Sequence, residues 1–180
     1  MYCTFKYPYK EINDRLYNII DAWPKGKARG TGYSLELGGQ RTPWNIHEDK
    51  IDDIDKILKW LMNCIPNTAI ELGEGNTYRT DLNVNNYNLN EFKIAECWGI
   101  LYDKGQNVVK HNHFPYCLSF VYFIKAPKGS SPLIIEGKRI KAEEGKLVIF
   151  HSDRIHWCNP SKVNGRCLSL IHISEPTRPY

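Results

Sequence analysis

From residue 93 onward the chain is cut into short apolar runs, and this pattern constrains the fold more than any other feature. The runs fall at 93–102, 106–111, 117–126, 133–136, 139–141, 146–150 and from Arg166 onward. Between them lie Asp103-Lys104-Gly105, Pro127-Lys128-Gly129-Ser130, Gly137-Lys138 and Glu143-Glu144-Gly145, all turn-forming sequences. Short strands at even spacing, each stopped by Gly or Pro, predict a β-sandwich or jelly roll.

The first half reads differently. Ile12, Leu16, Ile19 and Ile20 recur at helical spacing, predicting an amphipathic helix over 11–22 closed by Trp23-Pro24. Ile51, Ile54, Leu58, Leu61, Met62 and Ile65 share one face of a second helix, with Glu48, Asp49, Asp52 and Asp53 near its positive end and Pro66 as its stop. Gly and basic residues over 25–40 suggest a loop with a short strand at 33–37, and the Asn-rich run 83–90 within 72–90 suggests a surface loop bordering the site. Helices first and strands later would pack the helices on one sheet and leave the other end of the barrel open. The fold expected is mainly β with some α.

At 180 residues the chain makes one domain with a core of its own. Its net charge of +4 is mild and no basic block occurs, so nucleic acid is not indicated as a partner. No run approaches the roughly 18 apolar residues of a spanning helix, and the first residues lack a signal peptide's apolar stretch. A soluble, cytoplasmic protein without a membrane partner is expected. The cysteines at 3, 64, 97, 117, 158 and 167 form no Cys-x-x-Cys pair and read as reduced, mostly buried thiols.

Chemistry concentrates at His111-Asn112-His113. Two histidines one residue apart on an extended strand face the same way, so both imidazoles can meet one metal ion. An isolated His-x-His is commonly a pair of surface side chains, so a third ligand is needed. His156 follows the run 146–150 and supplies one if its strand pairs beside the first. Arg166, ten positions further, offers a rigid fork to a carboxylate near that metal. His151 suits a supporting role, and His47 a solvated one.

A His-x-(Asp/Glu) element, a distal His and an Arg about ten residues later resemble the 2-oxoglutarate/iron(II)-dependent oxygenases. The stretch HNHFPYCLSFVYFIK (111–125), with Pro132-Leu133 and the run 144–150, is similar to the prolyl-hydroxylase-like branch, particularly its short bacterial and phage-type members. The likeness runs from about residue 96 to 167. It implies a double-stranded β-helix and the cofactors Fe(II) and 2-oxoglutarate, with ascorbate as an optional reductant. It also implies metal ligands His111, His113 and His156, and 2-oxoglutarate held by Arg166 with help from Tyr102 and Ser119. A tyrosine that contacts the cosubstrate in several relatives falls at Phe123, where that contact is lost. The implied reaction is hydroxylation of a C–H bond on a peptide, protein or small molecule, a peptide or amino acid side chain being favoured; a phage-encoded protein would act in the host cytoplasm.

One position departs from the pattern. His113 stands where the family carries a carboxylate, which makes the site one unit more positive and moves it towards three-histidine sites that also suit zinc. Iron is favoured because Arg166 would have no purpose in a bare zinc site. The alternatives are a cupin-like metalloprotein, either a three-histidine dioxygenase or a metal-dependent binding module, and an inactive scaffold. Cupins place a glutamate shortly after His-x-His, and Cys117-Leu118 offers none.

The segment 168–180, LSLIHISEPTRPY, resembles a translated sequencing adapter. On that reading 1–167 is the oxygenase-like domain, helical over about 1–92 and jelly roll over about 93–167, and 168–180 is a non-native tail. His172 and Ser169 are then set aside as site residues. The stretch 168–171 is apolar enough to complete a strand by accident.

Overall fold

The computed structural model describes residues 2–23, 39–73 and 92–174. The strand expected at 33–37 and the Asn-rich run 83–90 lie outside the described residues. In chain order the elements are β1 (Tyr2–Lys6), α1 (Glu11–Asp21), β2 (Gln40–Arg41), a 3-10 turn (Ile46–Glu48), α2 (Asp52–Gly73), β3 (Lys93–Tyr102), β4 (Val108–His111) and β5 (Leu118–Lys125). Then follow β6 (Leu133–Ile135), β7 (Lys138–Ile140), β8 (Lys146–His151), β9 (His156–Cys158) and β10 (Arg166–Ser174). Among the described residues no helix is long and apolar enough to cross a membrane.

The strands form two antiparallel sheets, one ordered β1-β8-β5-β10-β3-β2 and the other β4-β9-β6-β7. This is a double-stranded β-helix, or jelly roll, with two helices on the outer face of the larger sheet. Alternation along the strands explains the layering. In β5, Phe120, Tyr122 and Ile124 face α1 and α2, whereas Val121 and Phe123 face the smaller sheet. In β8, Leu147 and Ile149 divide from Val148 and Phe150 in the same way. Both faces of these central strands are covered, so they read as continuous apolar runs.

The outer layer is closed by α1, whose Ile12, Leu16 and Ile20 are buried. Ile20 lies so close to β3 that a Cβ on Gly99 would meet its Cγ1 and Cδ1 at 2.4 Å. Pro66 does not stop α2, which runs on to Gly73. A mid-helix proline removes one N–H bond, but Ile65 and Thr68 on either side are buried at 0% and 1% exposure. The Thr68 hydroxyl also donates to the Cys64 carbonyl at 3.0 Å. Tertiary burial therefore outweighs the local break. The six cysteines are free and buried, as expected.

Residues 168–174 make up most of β10, which sits between β5 and β3. Leu168 packs into the layer between the sheets, and Ile171 and Ile173 under the helices. The adapter-like stretch thus occupies the middle of the larger sheet, while 175–180 lie outside the described residues.

Candidate metal centre and cosubstrate pocket

His111 closes β4 and pairs across to His156, the first residue of β9. The run 146–150 and His156 therefore belong to opposite sheets: β8 pairs with β5 and β1, and a turn carries the chain over to β9. His113 lies just past the end of β4, where its N–H donates to the Ser152 carbonyl at 2.7 Å. One potential ligand atom from each of His111, His113 and His156 lies within 4.8 Å of the others. His151 ends β8 and is not part of that group.

The trio has the chemistry of a metal site. His113 Nε2 and His156 Nε2 stand 3.1 Å apart. Two nitrogens bound at about 2.0–2.1 Å to one ion and at right angles would stand about 3 Å apart. His111 Nδ1 is 2.8 Å from the Val109 carbonyl and His156 Nδ1 is 3.0 Å from the Arg154 carbonyl. Each contact suits an Nδ1–H donor and leaves the Nε2 lone pair for a metal. Burial keeps all three imidazoles neutral, with His156 pushed down to about 3 and His111 and His113 also lowered. The residues present fit a divalent ion, and all three ligands are uncharged.

A cavity of about 490 Å³ opens beside the trio, lined at one end by Tyr102, Leu133 and Cys158 and at the other by Trp44, Glu96 and Trp98. That is the size of a small-molecule site. Arg166 is fully buried and does not itself line the cavity; it lies against Tyr102 and Cys158, which do. The guanidinium carbon lies 5.1 Å over the Tyr102 ring, and Nη2 donates to Cys158 Sγ at 2.9 Å. Arg166 Nε and Nη1 have no acceptor. A buried guanidinium lacking a carboxylate is costly, and it fits the far carboxylate of a dicarboxylic acid. The Tyr102 phenol, pushed up by burial, stays neutral and able to donate.

Ser119 is placed elsewhere. It is 1% exposed, its Oγ is 2.7 Å from Ser152 Oγ and 3.0 Å from His172 Nδ1, and it does not line the cavity. Phe123 is buried between the sheets, and the Tyr122 hydroxyl donates to Asn13 Oδ1 at 2.6 Å.

His172, set aside in the sequence, sits against the centre. Its ring centroid is 3.9 Å from that of His113, and it stacks on Tyr116 at 5.1 Å. Trp98 and Trp157, read from the sequence as core or pocket walls, line the cavity, and so do Glu96 and Cys158, which the sequence did not single out for it. Alternation with Tyr102 along β3 marks Glu96 and Trp98 as inward-facing.

No protein-family model matches the sequence, and no curated protein matches it. Solved structures do match. A viral collagen prolyl hydroxylase from Paramecium Bursaria Chlorella virus-1, in its 2OG complex, aligns at a TM-score of 0.66 and 14% identity over 96% of this chain and 94% of that one. A Pseudomonas putida prolyl-4-hydroxylase aligns at 0.60 and 15% identity over 97% and 92%. A Trichoplax adhaerens prolyl hydroxylase, in complex with a hypoxia inducible factor peptide fragment, aligns at 0.59 and 15% identity over 96% and 83%. The architecture of this chain, with two outer helices and a histidine trio at the barrel mouth, is the fold of the prolyl-hydroxylase-like 2-oxoglutarate oxygenases.

Proposed function

We propose that the protein is a 2-oxoglutarate- and iron(II)-dependent oxygenase that hydroxylates a C–H bond of a peptide or amino acid side chain. Iron(II) and 2-oxoglutarate, when bound, would supply the oxidation with dioxygen as the oxidant, one oxygen atom going to the new hydroxyl and the other to succinate as carbon dioxide leaves. His111, His113 and His156 hold the metal through Nε2, and Arg166 binds the distal carboxylate of 2-oxoglutarate with Tyr102 beside it. The buried walls around Tyr102, Leu133 and Cys158 exclude water from the reacting end. The observation that carries this reading is the Arg166 guanidinium, buried without a carboxylate behind the same cavity that the three histidines border. A cupin-like centre or a metal-binding scaffold has no use for it. A cytoplasmic setting accompanies this reading.

The test is succinate formation. Protein loaded with iron(II) is expected to convert 2-oxoglutarate to succinate, slowly without substrate. His156→Ala is expected to lose both stoichiometric iron and succinate. Iron retained at wild-type affinity by His156→Ala would remove the metal assignment. Full metal binding without 2-oxoglutarate binding would favour the cupin-like alternative.

A further inference from the structure

Cys3, Cys64, Cys97, Cys117 and Cys167 all sit in the core between the helices and the larger sheet. Cys158 is the exception among the cysteines: it packs between the two sheets and lines the cavity beside the histidine trio. Its Sγ accepts from Arg166 Nη2 at 2.9 Å, while Arg166 Nε and Nη1 have no acceptor. Arg166 is fully buried, so bulk water does not complete its bonding.

Sulfur is a weak acceptor, whereas a guanidinium is matched by two oxygens carried on one atom. The atom in front of this guanidinium is a bare sulfur. Two sources could supply the oxygens: a carboxylate from the cavity, as proposed above for 2-oxoglutarate, or oxidation of Sγ itself. A sulfinate has the charge and the two-oxygen fork of a carboxylate. It would form on the atom already in contact with the guanidinium, so nothing else has to move into place. Hydrogen peroxide, little larger than water, fits the cavity of about 490 Å³ that Cys158 lines. No other cysteine shares that face of the sheet, so a sulfenic acid formed there finds no thiol for a disulfide, and oxidation runs on to the sulfinate.

We propose that Cys158 is an oxidation site, converted by hydrogen peroxide to a sulfinate that pairs with Arg166 and takes the place of the cosubstrate's far carboxylate. In the first step an S–O bond forms as the peroxide O–O bond breaks, and the thiol proton leaves in water. A second peroxide adds the second oxygen with release of another water, and the sulfinic acid gives its proton to solvent. Each step takes two electrons from sulfur and reduces one peroxide. The competition with cosubstrate rests on the 2-oxoglutarate reading; the oxidation and the pairing with Arg166 do not.

The experiment treats the full chain, zinc-loaded so that iron does not decompose the peroxide, with hydrogen peroxide in the presence and absence of 2-oxoglutarate. Peptide mass mapping is expected to find two added oxygens on Cys158, none on the other five cysteines, and less oxidation of Cys158 when 2-oxoglutarate is present. Calorimetric titration is expected to show 2-oxoglutarate binding about 30-fold or more weaker after treatment, the loss typical when one partner of a buried charge pair is withdrawn. In Cys158→Ala the affinity for 2-oxoglutarate, whatever its starting value, is expected not to change on treatment. Cys158→Asp, whose carboxylate copies the sulfinate on the same Cβ, is expected to bind 2-oxoglutarate as weakly as the oxidised chain. It is also expected to unfold at a higher temperature than Cys158→Ala, because Arg166 gains its acceptor. An unmodified Cys158, a chain oxidised there that binds 2-oxoglutarate as before, or Cys158→Asp unfolding below Cys158→Ala each overturns the proposal. If untreated protein binds no 2-oxoglutarate, the cosubstrate reading fails separately, and the mass mapping and the two unfolding temperatures still decide whether Cys158 is oxidised and paired.

Discussion

On the proposed reading, Arg166 and the three histidines would divide the work between a cation that never loses its charge and imidazoles that burial keeps neutral. With His113 in place of a carboxylate, a divalent ion held here would keep its full double charge until an anionic cosubstrate arrived. Affinity for 2-oxoglutarate should then depend strongly on its two ends, the keto acid at the metal and the far carboxylate at Arg166. Truncating one partner of a buried bidentate pair costs about 2–5 kcal/mol, roughly 30-fold to several-thousand-fold in affinity. Arg166→Ala is expected to raise the 2-oxoglutarate concentration for half-maximal succinate formation by that factor, with metal binding nearly intact. Arg166→Lys is expected to recover part of the loss, because charge returns without the planar fork. Titration of decarboxylation against 2-oxoglutarate measures both, and an unchanged half-saturation in Arg166→Ala places the carboxylate elsewhere.

Among the elements, β3 is the backbone of the site. Its inward residues Glu96, Trp98 and Tyr102 line the cavity from one end to the other, and its outward face receives α1. Gly99 makes that approach possible. Thr42 closes the other side, its hydroxyl accepting from the Gly99 N–H at 2.9 Å and its own N–H donating to the Gly99 carbonyl at 3.0 Å. A methyl group on Gly99 would overlap Ile20, which is buried at 4% exposure and has little room to move. Overpacking of this kind costs about 1–3 kcal/mol. Gly99→Ala is expected to lower the unfolding midpoint in urea accordingly, and Ile20→Val in the same chain to restore part of it. A variant as stable as the parent would mean that α1 shifts freely over the sheet.

For the molecule as a whole, β10 joins the two halves of the larger sheet. It pairs with β5 on one side and β3 on the other. Removing 168–180 would leave both neighbours with open edges and uncover apolar faces on both sides of the sheet. A chain ending at Cys167 is therefore expected to lose cooperative unfolding and to aggregate, as measured by denaturant titration and size-exclusion chromatography. Retained cooperative folding would show that the strand is dispensable. The adapter reading of 168–180 remains our proposal, decided by the codons of the source DNA. On that reading His172 beside His113 is an accident of the translated frame, and the strand that belongs there must alternate apolar residues as this one does.

Sequence alone determined what depends on spacing along the chain. The strand series and the two helices follow from periods of about two or four residues, whereas His113 lies past the end of β4 and is placed beside His111 by its N–H bond to the Ser152 carbonyl. Tyr102 and Arg166 were nameable as a cosubstrate pair through the family pattern, and they are direct neighbours across β3 and β10. Tertiary structure decided what depends on contacts between distant segments. It set His156 on β9 in the sheet opposite to the run before it, and placed β1 at the edge beside β8. It carried α2 through Pro66 because burial on both sides outweighed one lost hydrogen bond. It turned Ser119 towards Ser152 and His172. No local pattern encodes these outcomes, because each is fixed by the register in which segments far apart in sequence meet.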